Sequence, residues 1–467
     1  MLDTRKTYEV RSVNQTEPRR LDLVGVMKLL DLLVSVILSA IFIIVGFSLI
    51  LISVFRTEKK RHAGIIELYI SIIDFRESVL STQIDDILVD GLIKKAFCCH
   101  FDFDKLRDEE VKLSENIRLK VISVHPENSF TRFGFRKSMA CLVQFRAFFE
   151  MLKTAGREGV NIIRAQDPHL LGFNAFLLSR ILKVPFMVQV CSNYEVKDRA
   201  AKGITFRPFL FKSIERAFER FIMRSSDLIL TDREHYREFG LIPRDIGDDK
   251  YVNMGFFADV VHDKETEKRI DLRRELGISP DKKILLYVGR LCPVKHPLDL
   301  IKIVSEVIKI RNDAILVVVG DGESKDEMKK LVDEFGVGSH VLFPGKMPHG
   351  KLADLYNTAD VVCFTSAGFT LIEAALAAKP IVVYDFEWHS EFIGNNENGV
   401  LVPMGDTAKF AVEVARLLSD DALGKRYGAA ARTHALKHYS RAVSVKKERE
   451  AYERIFKKRG YTVEEVL

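Results

Sequence analysis

The sequence predicts an α/β protein of two parallel-sheet lobes preceded by one membrane-crossing helix, and three observations predict it. A 24-residue segment near the N-terminus, Leu32 to Phe55, carries no charge. From about Asn116 onward short β-rich apolar runs alternate with longer amphipathic stretches, which is how βαβ units around a parallel sheet read. A charged stretch, Asp259 to Asp281, then divides those runs into two series.

Composition bounds the possibilities. With 467 residues, 47% hydrophobic, 29% charged and a net charge of +6, the chain is neither wholly disordered nor a multi-span membrane bundle. Its length suggests two or three domains, each able to bury its own core. The six cysteines, at 98, 99, 141, 191, 292 and 363, are too scattered for a disulfide framework and read as reduced thiols in the cytosol. A pI near 8.8 is mildly basic, and no nucleic acid is expected as a partner.

The apolar segment makes about 36 Å of helix, enough for a hydrocarbon core of about 30 Å. A buried core helix is rarely apolar on every face for this long, and a cleaved signal peptide is shorter and starts nearer the terminus. No second stretch of that length follows, so a single-pass membrane protein is expected, with a tail over 1–31 and the crossing over 32–55. Arg56, Lys59, Lys60 and Arg61 follow the segment, against Arg19, Arg20 and Lys28 before it. That bias favours a main body facing the cytoplasm. Asn14-Gln15-Thr16 has the form of a glycosylation acceptor, a tripeptide common by chance.

The first series of strands is expected at Leu119 to Val124, Val160 to Ala165, Phe186 to Val190 and Leu228 to Thr231. The second is expected at Ile284 to Gly289, Ile315 to Gly320, Val341 to Pro344, Val361 to Thr365 and Ile381 to Tyr384. The division is a first lobe over 63–258, a linker over 259–281, a second lobe over 282–435 and a C-terminal helix over 436–467. Eleven glycines fall between Gly289 and Gly405, whereas Arg61 to Ala155 holds only Gly64, Gly91 and Gly134. Glycine lets backbone amides approach phosphate, so the second lobe reads as the nucleotide side. No GxGxxG occurs, so a dinucleotide oxidoreductase has little support.

Two segments carry the chemistry. In YVGRLCPVKHPLDLI, Tyr287 to Ile301, an apolar strand ends in Gly289, and Arg290 and Lys295 follow. Two cations at a strand mouth suit a pyrophosphate whose charge grows as it leaves, although alone they would read as a solvated basic loop. In TSAGFTLIEAALAAKP, Thr365 to Pro380, Gly368 opens a helix whose amides, from Phe369 through Thr370 to Leu371, would face an anion. Glu373 is expected in that helix's first turn, where a carboxylate can accept two hydrogen bonds from a ribose diol.

The order of motifs resembles the retaining glycosyltransferases of the GT-B fold, family 4. The resemblance covers about Gly159 to Tyr439. It rests on GRLCPVK, GDGESKDEM, FPGKMPHGKLADLYNTADV, SAGFTLIEAALAAKPIV and EFIGNNENGVLVPMGD in the second lobe, and on AQDPHLLG and KVPFMVQV in the first. It implies two Rossmann-like lobes facing across a cleft, and sugar transfer from a nucleoside diphosphate donor with retention, without metal or cofactor. A lipid-linked or glycan acceptor is expected. It also implies that Arg290 and Lys295 hold the diphosphate, Glu373 the ribose and the backbone at Met347 the base, with Asp167 on the acceptor side.

Two positions depart from the family pattern. Thr365 stands where a second glutamate usually contacts the donor sugar, and Cys191 where a histidine commonly lies near it. Asp385, Glu387, His389 and Glu391 could supply replacement contacts, while a solvated polar loop accounts equally for all but Glu391. The departures motivate an alternative, a non-catalytic GT-B scaffold or regulator that binds nucleotide in a glycan assembly complex.

Two weaker signals read as structural and a third stays open. Asp102-Phe103-Asp104 matches a metal-holding DxD, and Cys98-Cys99-His100 lacks zinc-site spacing. Phe130 to Lys153 and Phe206 to Arg224 mix Phe with Arg and Lys, as a lipid headgroup surface or a core helix with snorkelling cations would.

Overall fold

The computed structural model describes residues 23–54, 64–71, 88–89, 91–102, 108–123, 136–191, 212–238, 240–255 and 272–460. The apolar segment forms helix α1, Leu23–Val54. It starts earlier than the uncharged run because Lys28 and Asp31 are single charges that a helix tolerates within its first turns.

The first lobe is built from β1 (Ile65–Ser71), β2 (Ile93–Asp102), β3 (Glu109–Lys112), β4 (Ile117–Ser123), α2 (Arg136–Glu158), β5 (Ile162–Ala165), α3 (Leu170–Leu182), β6 (Phe186–Val190), α4 (Lys212–Ser225), β7 (Leu228–Thr231), α5 (His235–Glu238) and β8 (Tyr251–Asn253). Its sheet runs β3-β4-β2-β1-β5-β6-β7-β8 and is parallel except for β3. Sequence reading leaves out β1, β2, β3 and β8. Charged or polar residues interrupt β1 at Glu67 and β2 at Lys94, Lys95 and His100, so neither reads as an apolar run. Adjacent strand residues point to opposite faces: Cys98 and Cys99 enter the cores on the two sides of the sheet. Burial pushes both thiols up, Cys99 to about 12. Of the DxD motif, Asp102 closes β2 and the other two residues lie outside the described residues, as do the tail through residue 22, Phe55 and most of the linker.

After α6 (Leu272–Glu275), the second lobe contains β9 (Lys283–Val288), α7 (Leu298–Ile310), β10 (Ala314–Val319), α8 (Lys325–Phe335), β11 (Val341–Gly345), α9 (His349–Thr358), β12 (Val361–Phe364), α10 (Phe369–Leu376), β13 (Ile381–Asp385), α11 (His389–Phe392), β14 (Val400–Pro403), α12 (Thr407–Ser419) and α13 (Asp421–His438). All six strands are parallel, in the order β11-β10-β9-β12-β13-β14. The order reverses between β9 and β12, and ligands of open α/β sheets bind outside the strand ends at such a switch point. The loops leaving those two strands are Gly289–Lys295 and Thr365–Gly368, the two segments singled out by sequence.

The final helix, α14 (Arg441–Lys458), returns to the first lobe. Val445, Tyr452, Ile455 and Phe456 join the core beneath β1, β2 and β4. A buried polar network fastens it: the Tyr452 hydroxyl donates to Glu67 Oε1 at 2.6 Å, Arg164 pairs with Glu448, and Arg164 also donates to Gln189 Oε1 at 2.8 and 3.1 Å. Burial lifts the Glu67 carboxyl to about 7, against the pull of Arg164.

Candidate active site between the lobes

The loop after β9 is shaped by the loop after β10. Gly289 N donates to Val319 O at 3.0 Å and Leu291 N to Asp321 O at 2.9 Å. At Gly320 and Gly322, with φ of +146° and +152°, a Cβ would come within 1.9 Å of the Gly289 carbonyl and 2.4 Å of the Leu291 carbonyl. Only glycine permits that approach. The chain then makes one 3₁₀ turn, Pro293–Lys295, and leaves it through His296 at φ +49°.

That turn brings Lys295 beside the β12 loop. Its Nζ donates to Ser366 Oγ at 3.4 Å, and its carbonyl accepts the Thr365 hydroxyl at 2.7 Å. Burial pushes the ammonium down to about 8, opposed by Glu387 and reinforced by the positive charges of Arg233 and Arg290. Arg290 is exposed and makes no ion pair among the described residues. Thr365, expected to face the donor, has its only proton committed to the Lys295 backbone.

Gly368 caps α10. The Leu371 amide turns back to Gly368 O at 3.2 Å and its side chain is buried, so that amide is committed within the helix start. Glu373 is the fifth residue of α10 and therefore in its second turn, a correction to the expected first turn. Its Oε2 accepts the Tyr356 hydroxyl at 2.9 Å, which orients the carboxylate. Met347, between β11 and α9, packs half-buried on the second-lobe core.

The β13 loop makes the remaining wall. His389 is buried, with Nδ1 on Tyr384 O at 2.7 Å and Nε2 accepting from Ala367 N at 3.1 Å. Burial drives it down to about 4, so it is neutral. Trp388 Nε1 donates to Ala367 O at 3.2 Å. Both side chains thus hold the α10 loop. Glu387 and Glu391 instead cross to the first lobe. Glu387 pairs with Arg233 at 3.3 Å, and Glu391 accepts from the amides of Glu234 at 3.0 Å and His235 at 2.7 Å and bonds His235 Nδ1 at 2.9 Å. Arg233 lies 5.2 Å over the Trp388 ring. Sequence reading missed Arg233, Ser366 and Tyr356. Arg233 lies two residues past the end of β7, and its place at a strand's carboxyl end was the available signal.

The two first-lobe candidates separate. Cys191, just past β6, is half-buried; burial raises the phenols of Tyr69 and Tyr236, with nearby Cys191 adding to it, and Tyr236 lies against Arg233. It therefore sits on the side of the Lys295 cluster. Asp167 is buried and turned to its own helix: its Oδ1 accepts from His169 N at 2.7 Å at the start of α3. His169, Glu215 and Glu219 have donor atoms within 4.8 Å of one another, but His169 Nε2 is already bonded to Glu219 at 2.5 Å. A cavity of about 240 Å³ lined by Leu68, Cys99, Lys120, Glu150 and Met151 among others is built by elements carrying none of the Lys295 cluster.

Lys295, Arg290 and Arg233 thus bring three cations and one partly offsetting carboxylate to the lobe junction, beside an open helix end. Such an arrangement suits a polyanion. Residues 268–434 match the family model Glycosyl transferases group 1. The second lobe is thus similar to glycosyl transferases group 1 domains. Relatives of this domain include the alpha-D-kanosaminyltransferase of Streptomyces kanamyceticus, 28% identical over 54% of this chain and 66% of its own length. Another is the alpha-monoglucosyldiacylglycerol synthase of Streptococcus pneumoniae, 25% identical over 55% of this chain and 59% of its own. The chain spans less than two thirds of the length of either. The crystal structure of Anabaena HepE in complex with UDP aligns with a TM-score of 0.64 at 16% identity, covering 84% of this chain and 99% of that one. That likeness shows the fold, the GT-B type with two α/β lobes.

Proposed function

We propose that the chain is a membrane-bound glycosyltransferase that moves a sugar from a nucleoside diphosphate donor to a lipid-linked or glycan acceptor. The observation that carries this reading is the half-buried Lys295 ammonium held with Arg290 at the opening of α10. Arg290, Lys295 and the first α10 amides stabilise the departing diphosphate, Glu373 receives the ribose and Met347 borders the base. The acceptor hydroxyl attacks from the face the diphosphate leaves, so configuration is retained, with positioning and electrostatics supplying the acceleration and no metal taking part. Helix α1 keeps the lobes at the cytoplasmic face. The names of the two relatives, a sugar transferase and a glycolipid synthase, support the reaction class and a lipid acceptor.

The test is transfer or donor hydrolysis by the purified full chain on a panel of nucleotide sugars, preceded by a screen for thermal protection by each nucleotide. Thr365 favours one alternative, because its hydroxyl is bonded to backbone where a sugar-binding carboxylate is expected. In that alternative the chain binds nucleotide without turnover and serves as a scaffold or regulator. Protection by a nucleoside diphosphate with no turnover on the whole panel would select it.

A further inference from the structure

Helix α1 is docked lengthwise in the groove between α2 and α3. Cys141 reaches the Ser35 carbonyl with Sγ at 3.6 Å. Phe42 meets Phe145, Phe148 and Phe173 edge-on at 4.8, 5.4 and 5.9 Å. Gly46 lies where a Cβ would be 2.7 Å from Leu177, and Ser53 donates to Arg180 O at 3.3 Å. From Ser35 to Ser53 this is about 27 Å of helix.

The pattern along α1 is inverted relative to a helix in water. Its buried stripe holds Asp31, Ser35, Gly46 and Ser53 beside Phe42, while Leu33, Ile37, Ile44, Phe47, Leu51 and Ile52 are exposed. An outward face this apolar calls for lipid. The face continues onto the lobe: Phe47 meets Phe176, Phe176 meets Phe221 of α4, and Leu142, Phe149 and Ile214 are exposed nearby in sequence on α2 and α4. Cations edge it, with Arg180 over Phe176 at 5.5 Å and Arg216 and Arg220 exposed on α4, which suits an anionic membrane surface.

Docking of this kind conflicts with a crossing helix. The pairs Arg146–Asp108 at 2.9 Å and Lys120–Glu150 at 2.6 Å flank α2 at the level of Phe145 and Phe148, hence level with Phe42 near the middle of α1. If α1 crossed the bilayer as docked, those charges would sit at hydrocarbon depth, where they are costly. We propose that α1 does not cross: it lies along the membrane, one side immersed in lipid and the other seated on α2 and α3, so that both ends of the chain are on the same side and the first lobe rests on the bilayer.

This deepens the membrane-bound reading above and is tested without any activity measurement, so its failure is distinguishable from failure of the transferase assignment. The full chain, tagged at both termini, is exposed to protease in sealed membrane vesicles. Equal digestion or equal protection of the two tags is expected whichever way the vesicles face; opposite fates would overturn the proposal. In addition, Phe149→Trp and Phe221→Trp variants in 3:1 phosphatidylcholine–phosphatidylglycerol vesicles should each add fluorescence that brominated lipid quenches, above the Trp388 background. Added fluorescence that brominated lipid leaves unchanged at both positions would show that the lobe stands clear of the bilayer and would overturn the proposal.

Discussion

The Thr365 hydroxyl donates to the carbonyl of Lys295 at 2.7 Å, tying the loop after β12 to the loop after β9 across the switch point of the second sheet. The position where a sugar-binding carboxylate was expected serves instead to fix the backbone that presents the ammonium. A neutral hydrogen bond contributes about 0.5–1.5 kcal/mol, which is up to about tenfold in an equilibrium. Thr365→Val should therefore raise the donor KM by up to about tenfold, while Thr365→Ser, which keeps the hydroxyl, should stay near the parent. Steady-state kinetics on both variants check this, and equal KM values for the two would count against it.

Arg290 is exposed and bears no ion pair among the described residues, so its removal should leave the fold intact. If it neutralises a leaving diphosphate, Arg290→Ala should lower kcat/KM by about 10²–10³, the range for losing one preorganised transition-state donor. Lys295→Ala should lose at least as much. A purified Arg290→Ala protein that melts like the parent and keeps most of its turnover would refute the role.

The Lys295 ammonium, pushed down to about 8 by burial, is charged below that pH and neutral above it. Donor capture needs the charged form, so kcat/KM should be level below about pH 7.5 and fall above pH 8, by up to about tenfold per pH unit. Lys295→Arg keeps its charge throughout, and its profile should stay level over the same interval. A fall of the same midpoint in that variant would assign the titration to another group.

How much of this was legible in the sequence depends on how locally each feature is encoded. The parallel second sheet was, because β9, β10, β12 and β13 are short apolar runs ended by Gly or polar residues, and their bounds fall within a residue of expectation. In the first lobe β1 and β2 were not, because Glu67 and His100 are polar yet buried, and the hydroxyl that bonds Glu67 lies 385 residues away at Tyr452. The same reason hides the roles of Glu387 and Glu391, whose partners sit in the other lobe. Local spacing placed Arg290 and Lys295 at one strand mouth; it could not show that Arg233 would join them or that Leu371 would spend its amide on Gly368.

Glu391 holds the lobes in register through two backbone amides and His235. Burial works against its charge, but those donors keep it below the usual carboxylate range. Glu391→Ala leaves the amides of Glu234 and His235 without that acceptor, at a cost of about 1–3 kcal/mol. A lower melting temperature and a raised donor KM are expected together, because Arg233 and Glu387 close the same junction. Glu391→Gln, which retains one acceptor oxygen, should fall between the parent and the alanine variant, and a melting temperature unchanged in Glu391→Ala would contradict the clamp.

The contact between Tyr452 and Glu67 predicts how stability varies with pH. Burial raises the Glu67 carboxyl from 4.5 to about 7. Between those values the folded protein retains a proton that the unfolded chain has released, so the stabilisation is full below pH 4.5 and is lost as pH rises through 7. Relative to Glu67→Gln, which keeps an oxygen for the Tyr452 hydroxyl and does not titrate, the parent should lose roughly 3 kcal/mol between pH 4.5 and 8. Melting temperatures of the two proteins in detergent should therefore diverge with rising pH, the glutamine variant becoming the more stable. Parallel curves would mean that Arg164 keeps Glu67 ionised throughout, and that the C-terminal helix is held to the first lobe by charge and not by a shared proton.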